Sequence, residues 1–320
     1  VKNLGLVESY KKVKPALIAV VSRISRNPDF PDIIGTGFVV NSGGLIMTNE
    51  HVVKAISKLP RLKNAPSEWP AQVILLHNLP GVGMSRVMMN IKMVMGITMH
   101  PPPPYLKETP DVGFIKVDVK DLPTVEIEAN PDYEEGQKIG VAGFPLGTDL
   151  WRAQTSHRHL NQINPTLRVG HIGAVLPFPC ENPHGLLLDV MSQGGLSGSP
   201  VFETISGKIV GLLYSGISEP KVLNGKEDGI LIYKVPTGIS YAVPSHFLAK
   251  VLQQLEVEGK WNQDLDGLKS LTQIQKEGLE SYKRGTLKSG LIQIPQDEIV
   301  FPRATEEKFS DSGKNLKGKF

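Results

Sequence analysis

Gly194-Gly195-Leu196-Ser197-Gly198-Ser199-Pro200-Val201-Phe202 decides how this chain is read. A serine between glycines, just ahead of an apolar strand segment, has a hydroxyl that its small neighbours leave reachable. Glycine at 195 also lets the backbone turn two N–H groups toward one point where an oxyanion could form. Upstream, Thr48-Asn49-Glu50-His51-Val52-Val53 supplies a histidine, and Asp111-Val112-Gly113-Phe114-Ile115-Lys116-Val117 opens an apolar strand on an aspartate. Serine is a weak nucleophile at neutral pH and needs a base in hydrogen-bond reach, for which an imidazole is suited. A carboxylate behind the ring holds its tautomer and stabilises the imidazolium that forms. These residue types nominate Ser197 as nucleophile, His51 as base and Asp111 as orienter. The backbone amides of Gly195 and Ser197 are the expected oxyanion donors.

Other residues compete for these roles. Ser199 precedes proline, which holds its backbone extended. Ser192 and Ser215 read as ordinary pocket or strand serines. Asp118 and Asp121 lie near Asp111, but only Asp111 opens the apolar segment. Of the eight histidines, His51 alone has this setting. His157-Arg158-His159 has no Asp, Glu or Cys at ligand spacing, so it reads as a solvated loop, and neither a metal nor a cofactor is expected.

Five segments in order resemble HtrA/Deg-type trypsin-like proteases. Gly35-Thr36-Gly37-Phe38-Val39-Val40 with Leu45 to Val53 resembles their first-barrel signature. Asp111-Val112-Gly113-Phe114-Ile115-Lys116 is similar to their Asp-x-Ala-x-Leu-Lys segment. Gly140-Val141-Ala142-Gly143-Phe144-Pro145-Leu146-Gly147 resembles the opening of their second barrel, and Ser240-Tyr241-Ala242-Val243-Pro244-Ser245 its close. The form around Ser197 is closer to bacterial glutamyl endopeptidases of the same fold. The resemblance spans roughly residues 15–255. It implies an all-β, chymotrypsin-like pair of six-stranded antiparallel barrels with a C-terminal helix, and serine endopeptidase chemistry on a polypeptide substrate. The alternative reading is a latent or non-catalytic protease-fold protein that binds polypeptides.

The chain departs from the family in places. Leu196 stands where HtrA-type enzymes have Asn and digestive trypsins have Asp, so it cannot pair with a newly cut N-terminal amine. Met191 is expected at the base of the S1 pocket. Leu213, Tyr214, Ser215 and Gly216 are expected along its wall, with Leu213 where glutamyl endopeptidases place a histidine. Apolar walls favour an apolar P1 side chain, whose burial gains about 1.5–3 kcal/mol while a charge would go unpaired. By resemblance His171 lies near the cleft.

With 40% hydrophobic and 21% charged residues in 320, the chain reads as a soluble globular protein. Its 32 Gly and 25 Pro favour many short strands over long helices. A net charge of +3 is too mild to argue for nucleic acid. No apolar run reaches the ~18 residues of a membrane span. The single cysteine, Cys180, excludes an internal disulfide. A chain opening on Val1 is expected to have lost its natural start, which leaves the compartment open between periplasmic or secreted and cytoplasmic. The oligomeric state is open too, with a homo-oligomer among the options.

Four regions are expected. Residues 1–14 form a polar lead-in, 15–128 the first barrel, 129–257 the second barrel with its helix, and 258–320 an extension. Between Val87 and Met99 the odd positions are all apolar, which predicts a strand with its methionines facing a core. Pro101 to Pro104 reads as a stiff link. Ser245 is expected to cap a helix bearing Phe247, Leu248, Val251, Leu252 and Leu255. In the extension, Leu265, Leu268, Leu271 and Ile274 predict a short amphipathic helix docked on the second barrel. The tail with Lys308, Lys314, Lys317 and Lys319 is expected to be disordered. No PDZ module is expected.

Overall fold

Short apolar runs cut by turns close into two antiparallel barrels. The structure, a computed structural model, describes residues 4–27, 30–63, 65, 67–79, 83–97, 110–145, 164–180, 182–224, 230–259, 267–286 and 299–300. The chain starts with α1 (Gly5–Val13) and a single 3-10 turn, then enters β1 (Leu17–Asn27), β2 (Phe30–Asn41) and β3 (Leu45–Thr48). Helix α2 (Glu50–Ser57) follows, then β4 (Arg61–Leu62), β5 (Ala71–Leu79), β6 (Gly83–Gly96), β7 (Gly113–Val117) and β8 (Val119–Lys120). The second half holds β9 (Lys138–Gly143), β10 (Thr166–Leu176), β11 (Gly185–Leu188), β12 (Pro200–Glu203), β13 (Ile209–Asn224) and β14 (Ile230–Pro244). It ends with α3 (Ser245–Glu258), β15 (Lys269–Ser270), α4 (Leu271–Lys283) and β16 (Ile299–Val300).

The first barrel closes in the order β1-β2-β3-β7-β6-β5 and the second in the order β10-β11-β14-β13-β12-β9. Inward residues of all six strands fill each. Ile18, Val39, Ile46, Val73, Met89 and Ile115 meet in the first, and Val141, Ile172, Leu186, Val201, Leu213 and Ala242 in the second. A third apolar layer joins them, with Leu17, Phe38, Met47 and Phe114 of one barrel packed with Phe144, Phe202 and Leu212 of the other. The period-two expectation for β6 holds for Val87, Met89 and Ile91, which are buried. An irregularity between Ile91 and Met93 then shifts the phase. Val94 faces the first core, while Met95 and Ile97 pack on the layer between barrels. Met99 and Pro101 to Pro104 lie outside the described residues, as do His157 and His159.

The two ends of the chain cross over. The expected lead-in contains α1, which lies on the second barrel. There Leu4 N–H donates to Ile205 O at 2.9 Å, buried Ser9 Oγ donates to Thr204 O at 2.9 Å, and the Tyr10 ring stacks on Phe202. The C-terminal extension docks on the first barrel rather than the second. Strand β15 pairs in parallel with β8, and the two form a small sheet of their own. Ser270 Oγ then caps α4 by accepting from Gln273 N–H at 3.2 Å. Leu271 and Ile274, three apart on one helix face, pack against the first core beside Val119 and Leu122. Strand β16 pairs with β4. Leu265 and the lysine-rich tail lie outside the described residues. No helix among the described residues is long and apolar enough to cross a membrane.

Helix α3 carries the expected apolar face, but Ser245 is not its cap. Pro244 holds the N-cap position, and Ser245 is the first helical residue. Its N–H donates to Tyr133 Oη at 2.7 Å, and its hydroxyl donates to Glu128 O at 2.6 Å. A tyrosine from the bridge between barrels thus satisfies an amide that the helix leaves open. The next residue, His246, buries both ring nitrogens without a hydrogen-bond partner among the described residues, and burial pulls its pKa down to about 4. The unfolded chain takes up this proton near pH 6.5, whereas the folded protein holds it off to about 4. Stability from this site is therefore complete above pH 6.5 and falls as pH drops toward 4. Denaturant unfolding between pH 7 and pH 4 is expected to show a shallower acid-side loss in His246→Leu than in wild type.

Candidate active site

Each nominated side chain sits where local structure fixes it. Strand β3 ends at Thr48, and α2 starts two residues later. His51 is therefore held in the first helical turn, with Val52, Val53 and Ile56 buried behind it. Asp111 precedes β7. Its Oδ1 accepts from the His51 backbone N–H at 3.0 Å, and its Oδ2 lies 2.5 Å from His51 Nδ1. The carboxylate is spoken for on both oxygens, so the ring presents Nε2 outward. Buried Asn49 holds the aspartate from below, donating from Nδ2 to Asp111 O at 2.8 Å. Asp118 is engaged elsewhere, accepting from Asn90 N–H and Nδ2 at 2.9 and 3.0 Å. Asp121 lies in the turn after β8 with φ 60°.

Ser197 arrives from the second barrel and docks on β2. Thr36 N–H donates to Ser197 O at 2.8 Å, and Thr36 Oγ1 donates to Gly195 O at 2.7 Å. The same Oγ1 accepts from Phe144 N–H at 3.0 Å, while Thr36 O accepts from Thr48 Oγ1 at 2.7 Å. Gly35 lies close to both Val52, the neighbour of His51, and Ser197 O, and a Cβ there would meet them both. The neighbourhoods of the serine and the histidine thus converge on one short stretch of β2. Ser197 Oγ makes no hydrogen bond to the imidazole among the described residues. Its rival Ser199 is wholly buried, with a hydroxyl that has no hydrogen-bond partner among the described residues, and so is turned away from solvent.

The backbone of this loop divides its amides. Those of Leu196, Gly198 and Ser199 are spent on Gln193 O, Leu213 O and Leu196 O. Among the described residues, those of Gly195 and Ser197 donate to no protein acceptor. Gly195 has φ 91°, which favours glycine. Gly198 has φ 84°, and a Cβ there would overlap Thr36 O and Thr48 Oγ1. Gly198→Ala is expected to destabilise by about 2–4 kcal/mol, combining left-handed strain with a backbone clash. Denaturant unfolding measures it, and a loss under about 0.5 kcal/mol would contradict this packing. Leu196, which offers no ion pair, is fully buried in the second core and anchors the loop by apolar burial.

The expected specificity residues divide. Met191 is 39% exposed, and Ser215 and Gly216 on β13 are exposed. Gly216 packs closely on Ser192, and Tyr214 stacks on Tyr241 with ring centroids 5.9 Å apart. Leu213 is a correction. Its side chain lies wholly within the second core, so it offers no surface to a ligand, because the strand alternation turns it inward. His171 is half exposed, its Nδ1 3.0 Å from Asp189 Oδ2. Among the described residues no cluster of His, Cys, Asp and Glu has the makings of a metal site. Cys180 is an exposed loop thiol. Asn49, Thr36 and Arg168 were not singled out by sequence. Each acts by hydrogen-bonding distant backbone, which no local pattern records.

Two barrels, with a histidine–aspartate pair on one and a serine loop of free amides on the other, define a class that comparison with known proteins identifies. Residues 35–212 match the trypsin-like peptidase domain family, more than half of the chain, and the chain belongs to that family. It is 25% identical over 266 residues to a probable periplasmic serine endoprotease DegP-like of Pseudomonas fluorescens, covering 83% of this chain and 44% of that one. A protein of the same description from Halomonas elongata is 24% identical over 226 residues, covering 71% of this chain and 36% of that one. The chain thus spans less than half the length of these curated relatives. The solved structure of Deg5 is 18% identical, with a TM-score of 0.49, covering 79% of this chain and 94% of that one. The DegP-like descriptions of the two curated relatives agree with the HtrA/Deg resemblance of the motifs.

Proposed function

We propose that this chain is a serine endopeptidase in which His51, Asp111 and Ser197 form the triad. The observation that carries this reading is the two-point grip of Asp111 on His51. It fixes the proton on Nδ1 and leaves Nε2 to take a proton from serine. His51 removes the Ser197 proton as Oγ attacks the scissile carbonyl. The oxyanion draws on the unclaimed amides of Gly195 and Ser197, where one donor contributes about 3–4 kcal/mol of transition-state stabilisation. His51 then gives the proton to the leaving amine, and water hydrolyses the acyl-enzyme by the same relay. Exposed Met191, with the Tyr214–Gly216 strand segment, supports an apolar P1 preference. Unfolded polypeptide is the proposed substrate. The DegP-like relatives described as periplasmic support a periplasmic or secreted setting.

The alternative, a protease fold that holds polypeptides without cutting them, has one observation in its favour. Ser197 Oγ makes no hydrogen bond to His51 here. Catalytic contacts of this kind often tighten only with substrate bound. Digestion of a peptide library decides between the two. The endopeptidase reading expects cleavage dominated by aliphatic or aromatic P1 residues. A profile dominated by P1 Glu, Lys or Arg would remove the apolar pocket, and binding with no cleavage would favour the alternative.

A further inference from the structure

The run from Asp189 to Gly194 links β11 to the serine loop, and it carries Met191 on the way to the Gly195 amide. Among the described residues, the side chains that tether it from outside come from β10. Arg168 on β10 donates from Nη1 to Met191 O and from Nη2 to Gln193 Oε1, both at 2.6 Å. Gln193 passes the restraint on, because its carbonyl accepts from Leu196 N–H at 3.0 Å and its Nε2 lies 3.7 Å from Met191 Sδ. Three residues along the same strand, His171 N–H and Nδ1 engage the two oxygens of Asp189, and Asp189 N–H returns to His171 O at 3.2 Å. Among the described residues Arg168 has no carboxylate partner, so its fork is spent on neutral oxygens of this one loop. Two donors in a rigid plane fix two acceptors relative to each other, which a lysine's single point charge does not.

We propose that Arg168 is a positioning residue that clamps Met191 and Gln193 together. In doing so it sets the floor of the P1 pocket and the approach of the chain to Gly195. The inference rests on the serine endopeptidase reading. If it holds, the loop is pre-organised by a residue that touches no substrate, and loosening it lowers turnover more than binding.

Arg168→Ala and Arg168→Lys test this in the full chain. Hydrogen–deuterium exchange is expected to speed by about tenfold or more in residues 189–197 of Arg168→Ala, with other segments and Tm unchanged. On an apolar-P1 peptide, kcat/KM is expected to fall about 10–100-fold, chiefly in kcat. Added guanidinium ion is expected to restore much of that loss in the alanine variant, and lysine to restore less. Unchanged exchange in 189–197 overturns the clamp, whether or not the protein is active. Faster exchange with undiminished kcat overturns its role in positioning the chemistry. A wild type that neither cleaves peptide nor reacts with a fluorophosphonate at Ser197 sinks the endopeptidase reading instead, and the exchange comparison still decides the clamp.

Discussion

Ser197→Ala is expected to lower kcat/KM toward unfolded casein by on the order of 10⁶, with the fold intact. The alanine keeps the backbone that Thr36 grips, since that bond is made to Ser197 O. The lost hydroxyl makes no hydrogen bond among the described residues, so stability is expected to change by no more than about 0.5 kcal/mol. With structure and stability held constant, the lost rate belongs to the nucleophile alone. Any residual turnover over water would come from the oxyanion amides and substrate binding. Turnover by the variant equal to that of wild type, measured on protein free of contaminating protease, would end the assignment.

Asp111→Asn is expected to cost about 10⁴ in kcat while changing the shape of the site little. The reason is in the two contacts of the carboxylate. The His51 backbone N–H points at Oδ1, so an asparagine must turn its carbonyl oxygen to that position. Its NH₂ then faces His51 Nδ1, where Oδ2 stood. Two donors cannot share that contact, so the ring proton moves to Nε2 and the serine loses its base. Asn49 continues to hold the 111 backbone, which keeps the segment in place. Steady-state kinetics on a single peptide substrate measure the effect, and a loss under tenfold would show that the carboxylate does not set the tautomer.

The candidate site was legible where chemistry needs an unusual residue in an unusual setting. Ser197 between glycines and Asp111 at the mouth of an apolar strand stand out because ordinary surface or core positions do not call for them. The barrels were legible through the resemblance of five ordered motifs, whereas the many Gly and Pro by themselves pointed only to many short strands. Burial separated Ser197 from Ser199 beyond what motif order offered, since only a fold can say which hydroxyl faces inward. Leu213 was misjudged for the same reason: a motif position gives the neighbourhood, and the strand's pleat decides the face. Ser245 looked like a cap, but a helix start is satisfied by whatever donor or acceptor lies nearest, here Tyr133 from 112 residues away. The extension's helix was visible in Leu271 and Ile274. Its docking was not, because backbone pairing such as that of β15 with β8 leaves no mark in side-chain pattern.

One experiment meets the account head on. Folded wild-type protein is treated with a fluorophosphonate probe, digested, and the modified peptide sequenced by mass spectrometry. A single adduct on the oxygen of Ser197, slowed severely in Asp111→Asn, is what an imidazole-activated hydroxyl beside waiting amides gives. No adduct, or one on another serine with Ser197 untouched, would contradict it.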